Sequence, residues 1–184
     1  TKKQFTLFGS RQTLVDENTE GFGDAVRFFK KNYENALREI IVNNSGKKGI
    51  FNGIEEITLF FEWYGEHSFC GFHQEGDEMH LALIDVFLKK KGYIEPNTFI
   101  DIFCEDDRIE TPEVIYIGKL NMDFINSINN NDWTEEGCQY PNIKEGVVIK
   151  RSTLISGQRL PMCKTKTKWW LNKLHSSYPE DMWK

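Results

Sequence analysis

Lys164, Lys166 and Lys168 stand at alternate positions in KTKTKWW, and EGVVIK, Glu145 to Lys150, carries a carboxylate and a lysine at the two ends of an apolar run. Alternate residues of a β-strand point to one face. The spacing therefore predicts a row of like charges on one side of a strand, and such charges repel unless an anion sits against them. A solvated face is the other reading of a charge row. Two carboxylates fall inside apolar stretches, Glu62 in FFEWYG and Asp85 in ALIDVFL. A carboxylate there is costly unless it is paired, bound to a ligand or turned to water at a sheet edge. Arg11, in FGSRQ, reads by itself as an ordinary surface arginine.

The elements that must carry these residues read as a mixture of helix and strand. Phe28, Phe29, Tyr33, Ala36, Leu37, Ile40 and Ile41 recur at helical spacing, which predicts a scaffold helix from a cap at Asp24 to about Val42. ITLFFEWYG from Ile57, stopped at Gly65, HLALIDVFL from His80 and EVIYIG from Glu113 are rich in β-branched and aromatic residues and read as strands. LNMDFINSINNND predicts a short helix and a polar loop. GVVIKR and LPMCKTK read as two more strands, and the turn residues SGQ between them allow a hairpin.

A chain of 184 residues that is 39% hydrophobic, with fourteen Phe and five Trp, can bury the core of one domain. It has no run of eighteen apolar residues, and TKKQFTLFGSRQ lacks the apolar stretch of a secretory signal, so no membrane span is expected. Cys70, Cys104, Cys138 and Cys163 are scattered without a CxxC pair, the usage of a reducing, intracellular compartment. The formal charge of -5 hides a division: residues 144–184 hold nine Lys and Arg against three Asp and Glu, so the basic charge is concentrated there. CGFH, Cys70 to His73, has half the spacing of a zinc site, but no second Cys/His pair follows at a fitting distance. The minimal motifs of P-loop, dinucleotide-binding, zincin and GxSxG hydrolase proteins are absent, which removes those classes.

In order along the chain stand Ser10-Arg11, Glu62 in FxEWYG, an xxDxF strand around Ile84 and Asp85, EGVVIK at Glu145 to Lys150, and K-x-K at Lys164 to Lys166. This order resembles the strand motifs of the covalent nucleotidyltransferases, the superfamily of ATP-dependent DNA and RNA ligases and mRNA capping enzymes. The likeness spans nearly the whole chain and is most specific in its last two motifs. KTKTKWWLNKLH, with aromatics directly after the lysines, looks most like the phage-type RNA ligases. The resemblance implies an α+β adenylation domain over residues 1–184, of mostly antiparallel sheets with flanking helices around a nucleotide cleft. It implies that a lysine amine attacks the α-phosphorus of ATP, expels pyrophosphate and holds AMP. The AMP then passes to a 5′-phosphate and is displaced by a 3′-hydroxyl. Every step gathers negative charge at one phosphate, so cations and positioning carry the catalysis.

The resemblance further implies that Lys164 and Lys166 contact the α-phosphate and that Glu145 helps hold Mg²⁺. Glu62 would accept a hydrogen bond from the ribose hydroxyl, Arg11 would contact phosphate or sugar at the nick, and Lys150 would contact the nucleotide. Ile84 takes the position where relatives often place an aromatic against adenine. The nucleophile's motif, Lys-x-Asp/Glu-Gly, belongs before the Ser-Arg pair and does not occur; Lys2 and Lys3, in KKQF, have neither the acid nor the glycine. The expectation is a nucleophile and amino-terminal strands upstream of Thr1, or else a degenerate member that binds nucleotide or nucleic acid without covalent chemistry. DNA ligases and capping enzymes, the runners-up within the enzyme class, normally continue into an OB-fold, whereas eighteen residues follow Lys166 here. No OB-fold is expected. ATP and Mg²⁺ are the expected cofactors, RNA ends, with DNA ends as the alternative, the expected partners, and the cytoplasm, a host's if the chain is phage-encoded, the expected location.

Overall fold

A computed structural model describes residues 5, 7–66, 68, 73, 75–153 and 161–178, and the chain divides into two compact units. One comprises Thr1–Glu113 with residues 156–159, the other Val114–Ile155 with Leu160–Lys184. Both mix helix with small antiparallel sheets.

The first unit begins with a hairpin of β1 (Phe8–Gly9) and β2 (Leu14–Val15). The helical spacing that follows is realised as α1 (Gly23–Phe28), a π-helical turn (Phe29–Tyr33) and α2 (Glu34–Asn43). Phe29, Tyr33, Ala36, Leu37, Ile40 and Ile41 are buried, and Phe28 packs against them half-buried. Asp24 does not cap this helix. The helix already begins at Gly23, the Val26 amide that a cap at Asp24 would receive is taken by the Phe22 carbonyl at 3.2 Å, and Asp24 pairs with Arg27 instead.

Period-two alternation produces β3 (Ile57–Tyr64), whose Ile57, Leu59, Phe61 and Trp63 face the core. It pairs antiparallel with β4 (His80–Leu88), which in turn pairs with β5 (Gly92–Tyr93), giving the order β3-β4-β5. Gly65 ends β3 as expected: its φ is +141°, and a Cβ there would lie 2.4 Å from the carbonyl oxygen of Glu78. α3 (Pro96–Phe99) and the π-helical Ile100–Cys104 close the core with Phe99 and Phe103.

EVIYIG forms no strand. The free edge of β4 that it could have joined is occupied, since Leu83 donates to the carbonyl of Glu110 at 2.8 Å and Val86 accepts from Ile94 at 3.0 Å. The chain then leaves the first unit, with Ile117 69% exposed and Tyr116 stacked on Phe124. In the second unit α4 (Met122–Asn129), capped by the Asn121 side chain, precedes β6 (Gly146–Lys150), β7 (Met162–Lys166) and α5 (Lys168–Ser177). β6 and β7 pair antiparallel; the SGQ turn lies outside the described residues. Among the described residues no helix is long and apolar enough to cross a membrane.

The register of β3 on β4 puts Tyr64 opposite His80, and their rings stack at 5.3 Å. The Tyr64 hydroxyl bonds to Glu110, whose other oxygen lies 3.2 Å from His80 Nδ1, and the Glu110 amide donates to the Tyr33 hydroxyl. Burial, then the bond to Glu110, pushes the Tyr64 phenol well above its ordinary range, and burial raises Tyr33. A native pKa above the unfolded value of about 10 gives stability that is complete below that pH and lost as pH rises. Urea midpoints should therefore fall as pH is raised beyond about 10, and Tyr64→Phe should make that fall shallower. An unchanged slope in the variant would show that Tyr64 ionises as freely in the folded chain as in the unfolded one.

Candidate functional site

Gly146 opposes Lys166 in the β6–β7 ladder, Val148 opposes Lys164 and Lys150 opposes Met162. Opposed residues share a face. Lys150, Lys164 and Lys166 therefore lie on one side of this two-stranded sheet, with Val148 among them. The other side carries Val147, Ile149, Cys163 and Thr165, and α4 packs there, the Thr165 hydroxyl bonding to the Asn129 side chain.

The lysine row ends at Lys166, one position earlier than the spacing suggests. Thr167 is completely buried and ties three segments together. Its amide donates to the Glu145 carbonyl at 3.0 Å, its hydroxyl donates to the Lys144 carbonyl at 2.8 Å, and the same oxygen accepts from the Trp170 amide at 3.0 Å. The last bond is a helix N-cap. Lys168 is thereby the first residue of α5, not a third strand position, and its ammonium donates to Asn130 at 2.6 Å.

A glycine sets the carboxylate beside the lysines. Gly146 has φ +148°, and a Cβ there would fall 2.1 Å from the Thr165 carbonyl oxygen and 2.8 Å from the Lys166 Cα. Only glycine permits so close an approach. Glu145, immediately before it, pairs with the Lys166 ammonium, which also lies 5.8 Å from the centre of the Trp170 ring. Lys164 differs: it is exposed and makes no ion pair or hydrogen bond with a described residue. The asparagines read as a polar loop clamp the site. Asn129 holds Thr165, Asn130 holds Lys168, and Asn131, buried, donates to the carbonyls of Tyr140 and Ile143 and accepts from the Tyr140 amide. The loop leading to Glu145 is thus fixed.

Arg11, Glu62 and Ile84 belong to the first unit. Arg11 sits at the tip of the β1–β2 hairpin, where the Ser10 hydroxyl accepts from the amides of Gln12 and Thr13; its side chain is exposed. Glu62 is exposed on edge strand β3 and has no ion pair with a described residue. Asp85 does not face water as an edge carboxylate would; it is 9% exposed and sits in the central strand. Glu62 opposes Ala82 and Asp85 opposes Phe60, so both carboxylates lie on the sheet face away from the core. Ile84 is the extra residue of the bulge between them, because Leu83 pairs with Phe61 and Asp85 with Phe60. Bulges re-aim side chains.

Among the described residues no group of three His, Cys, Asp or Glu could hold a metal ion. Glu145 alone fits Mg²⁺ only where phosphates supply most of the ligands, which is that ion's habit. Of CGFH, His73 lies 3.6 Å from Asp77 and Cys70 is outside the described residues, as are Lys2 and Lys3. Thr167 was missed, yet Trp170, Leu171 and Leu174 at helical spacing after it are the signal of a capped helix. The Tyr64–His80–Glu110 group was missed as well. The chain matches no protein-family model, no curated protein and no solved structure.

This geometry makes two backbone positions decisive. Gly146→Ala should part β6 from β7 and abolish hydrogen-exchange protection of their amides, whereas Gly46→Ala, where a methyl meets nothing, should leave them unchanged. Thr167→Ala should lower the stability of the same segment by about 1–2 kcal/mol, read from the exchange of α5 and β7 amides.

Proposed function

We propose that the chain is the nucleotide-binding core of an ATP-dependent RNA ligase, a covalent-nucleotidyltransferase domain that acts on RNA ends, with DNA ends as the alternative. The observation that carries this reading is the pair Lys164 and Lys166 on one strand face, with Glu145 set beside them by the Gly146 crossing. A phosphate surrounded in this way meets two ammonium groups from one rigid ladder, the preorganised charge that phosphoryl chemistry needs. Lys164 offers a charge not committed to any described acid. Lys166 exchanges its carboxylate for a phosphate oxygen while the Trp170 ring keeps its stem in place.

Glu145 is the protein ligand for Mg²⁺, whose charge neutralises phosphate oxygens when it is bound. Lys150 extends the positive face. For the first unit, the resemblance assigns the ribose hydroxyl to Glu62, adenine to Ile84 and the phosphate or sugar of the broken strand to Arg11. A noncovalent nucleotide-binding protein is the second reading.

Incubated with Mg²⁺ and ATP labelled at the α-phosphate, the 184-residue chain should bind ATP but acquire no acid-labile covalent label; a label on Lys2 or Lys3 would refute the assignment of the nucleophile elsewhere. Lys164→Ala and Lys166→Ala should each weaken ATP binding by about ten- to a hundred-fold, the effect of a lost charge-assisted bond. Glu62→Ala should cost about tenfold, and Lys168→Ala little, since Asn130 already holds that ammonium. Added salt should diminish the contribution of exposed Lys164 more than that of half-buried Lys166. ATP affinity unchanged in both lysine variants at low salt would overturn the proposal. In a protein that also carries the nucleophile, formation of the covalent adenylate separates the ligase reading from the noncovalent one.

A further inference from the structure

Period two sends neighbouring residues of β3 to opposite faces, so Trp63 points away from the side that carries Glu62. On Trp63's side an open cleft of about 690 Å³ lies between α1 and β3, lined by Asp24, Arg27, Phe28, Lys31, Trp63 and Met79 among others. Its aromatic wall is Phe28 set edge-on against Trp63, with ring centres 5.7 Å apart. Its cations differ in freedom. Arg27 is anchored to the Asp24 carboxylate and the Glu17 carbonyl, whereas Lys31 is exposed and has no ion pair or hydrogen bond with a described residue.

We infer that this cleft binds one nucleotide, its base against the Trp63–Phe28 wall and its phosphate on Lys31. Asp24 and Arg27 offset one another, which leaves Lys31 as the cleft cation not paired with a described acid. A volume of this order accommodates a base, a sugar and one phosphate. Aromatic surface beside a cation is the combination that single-stranded nucleic acids and free nucleotides both satisfy. The setting limits the ligand's length. Residues 1–113 hold thirteen Lys and Arg against twenty-one Asp and Glu, so a long polyanion is repelled by the unit as a whole, while Lys31 offers one charge in the cleft that no described acid offsets. The inference goes beyond the ligase reading and does not rest on it, because no residue of the cleft belongs to the lysine strand.

The test uses the 184-residue chain carrying Lys164→Ala and Lys166→Ala, so that binding at the lysine strand cannot be mistaken for binding in the cleft. Adenosine 5′-monophosphate and a 5′-phosphorylated RNA trinucleotide are titrated separately by calorimetry and by tryptophan fluorescence. At least one should bind saturably with a Kd below about 1 mM, and which one binds identifies a free nucleotide or a strand end as the source. Lys31→Glu, a change at an exposed position, should weaken that binding at least about tenfold. Trp63→Phe should remove the fluorescence quenching that accompanies binding. Absence of saturable binding by either probe, affinity unchanged by Lys31→Glu, or quenching that survives Trp63→Phe would each overturn the inference.

Discussion

A single buried hydroxyl decides what the lysine strand presents. Thr167 joins the end of β6's approach, the end of β7 and the first turn of α5 through three hydrogen bonds, and it has no access to water with which to replace them. Each such bond contributes only about 1 kcal/mol net, but an unmade buried one costs more than a made one gains. The chain therefore cannot run on as a strand past Lys166. That stop gives the face two β7 lysines rather than three, turns Lys168 toward Asn130, and brings Trp170 under the Lys166 ammonium.

Gly146 complements this constraint. Thr167 fixes where the carbonyl of Glu145 goes, and the missing Cβ one residue later lets the backbone come close enough for the Glu145 side chain to reach Lys166. Such a partly exposed ion pair is worth no more than about 1 kcal/mol. It holds the ammonium in position without binding it so strongly that another anion is refused. Lys164, on the same face and paired with no described residue, supplies the attraction that Lys166 alone would lose to its carboxylate.

The features legible in the sequence are those set by short-range period. The spacing of Phe29 through Ile41 and the alternation in β3 follow from which side chains pack on the core, and the pairing of GVVIK with MCKTK follows from their strand composition. The errors come where a local pattern is overruled by a partner distant in the chain. EVIYIG has strand composition, but the β4 edge is already bonded to Glu110 and Ile94, and Lys168 continues a strand spacing that Thr167, tied to Lys144 and Glu145, has ended. The Asn cluster looked like solvated loop because its bonds run to Thr165 and Lys168, more than thirty residues away. Asp85 was open to the edge-strand reading because nothing in ALIDVFL says that β4 is the central strand.

The bulge at Ile84 shows why the carboxylates of the first unit are the least legible part. A one-residue slip reverses every side chain of a strand, so the face on which Asp85 lies depends on whether Ile84 is paired or extruded. Counting by twos from Leu83 would put Asp85 on the core side. Extrusion of Ile84 instead restores Val86 and Leu88 to the core and delivers Asp85 to the face shared with Glu62. The sheet thus keeps an apolar layer against α2 and a separate face on which Glu62 and Asp85 stand beside Phe60, Phe87 and Tyr93. That separation depends on one unpaired residue, so the identity of residue 84 matters less to the carboxylates than its presence.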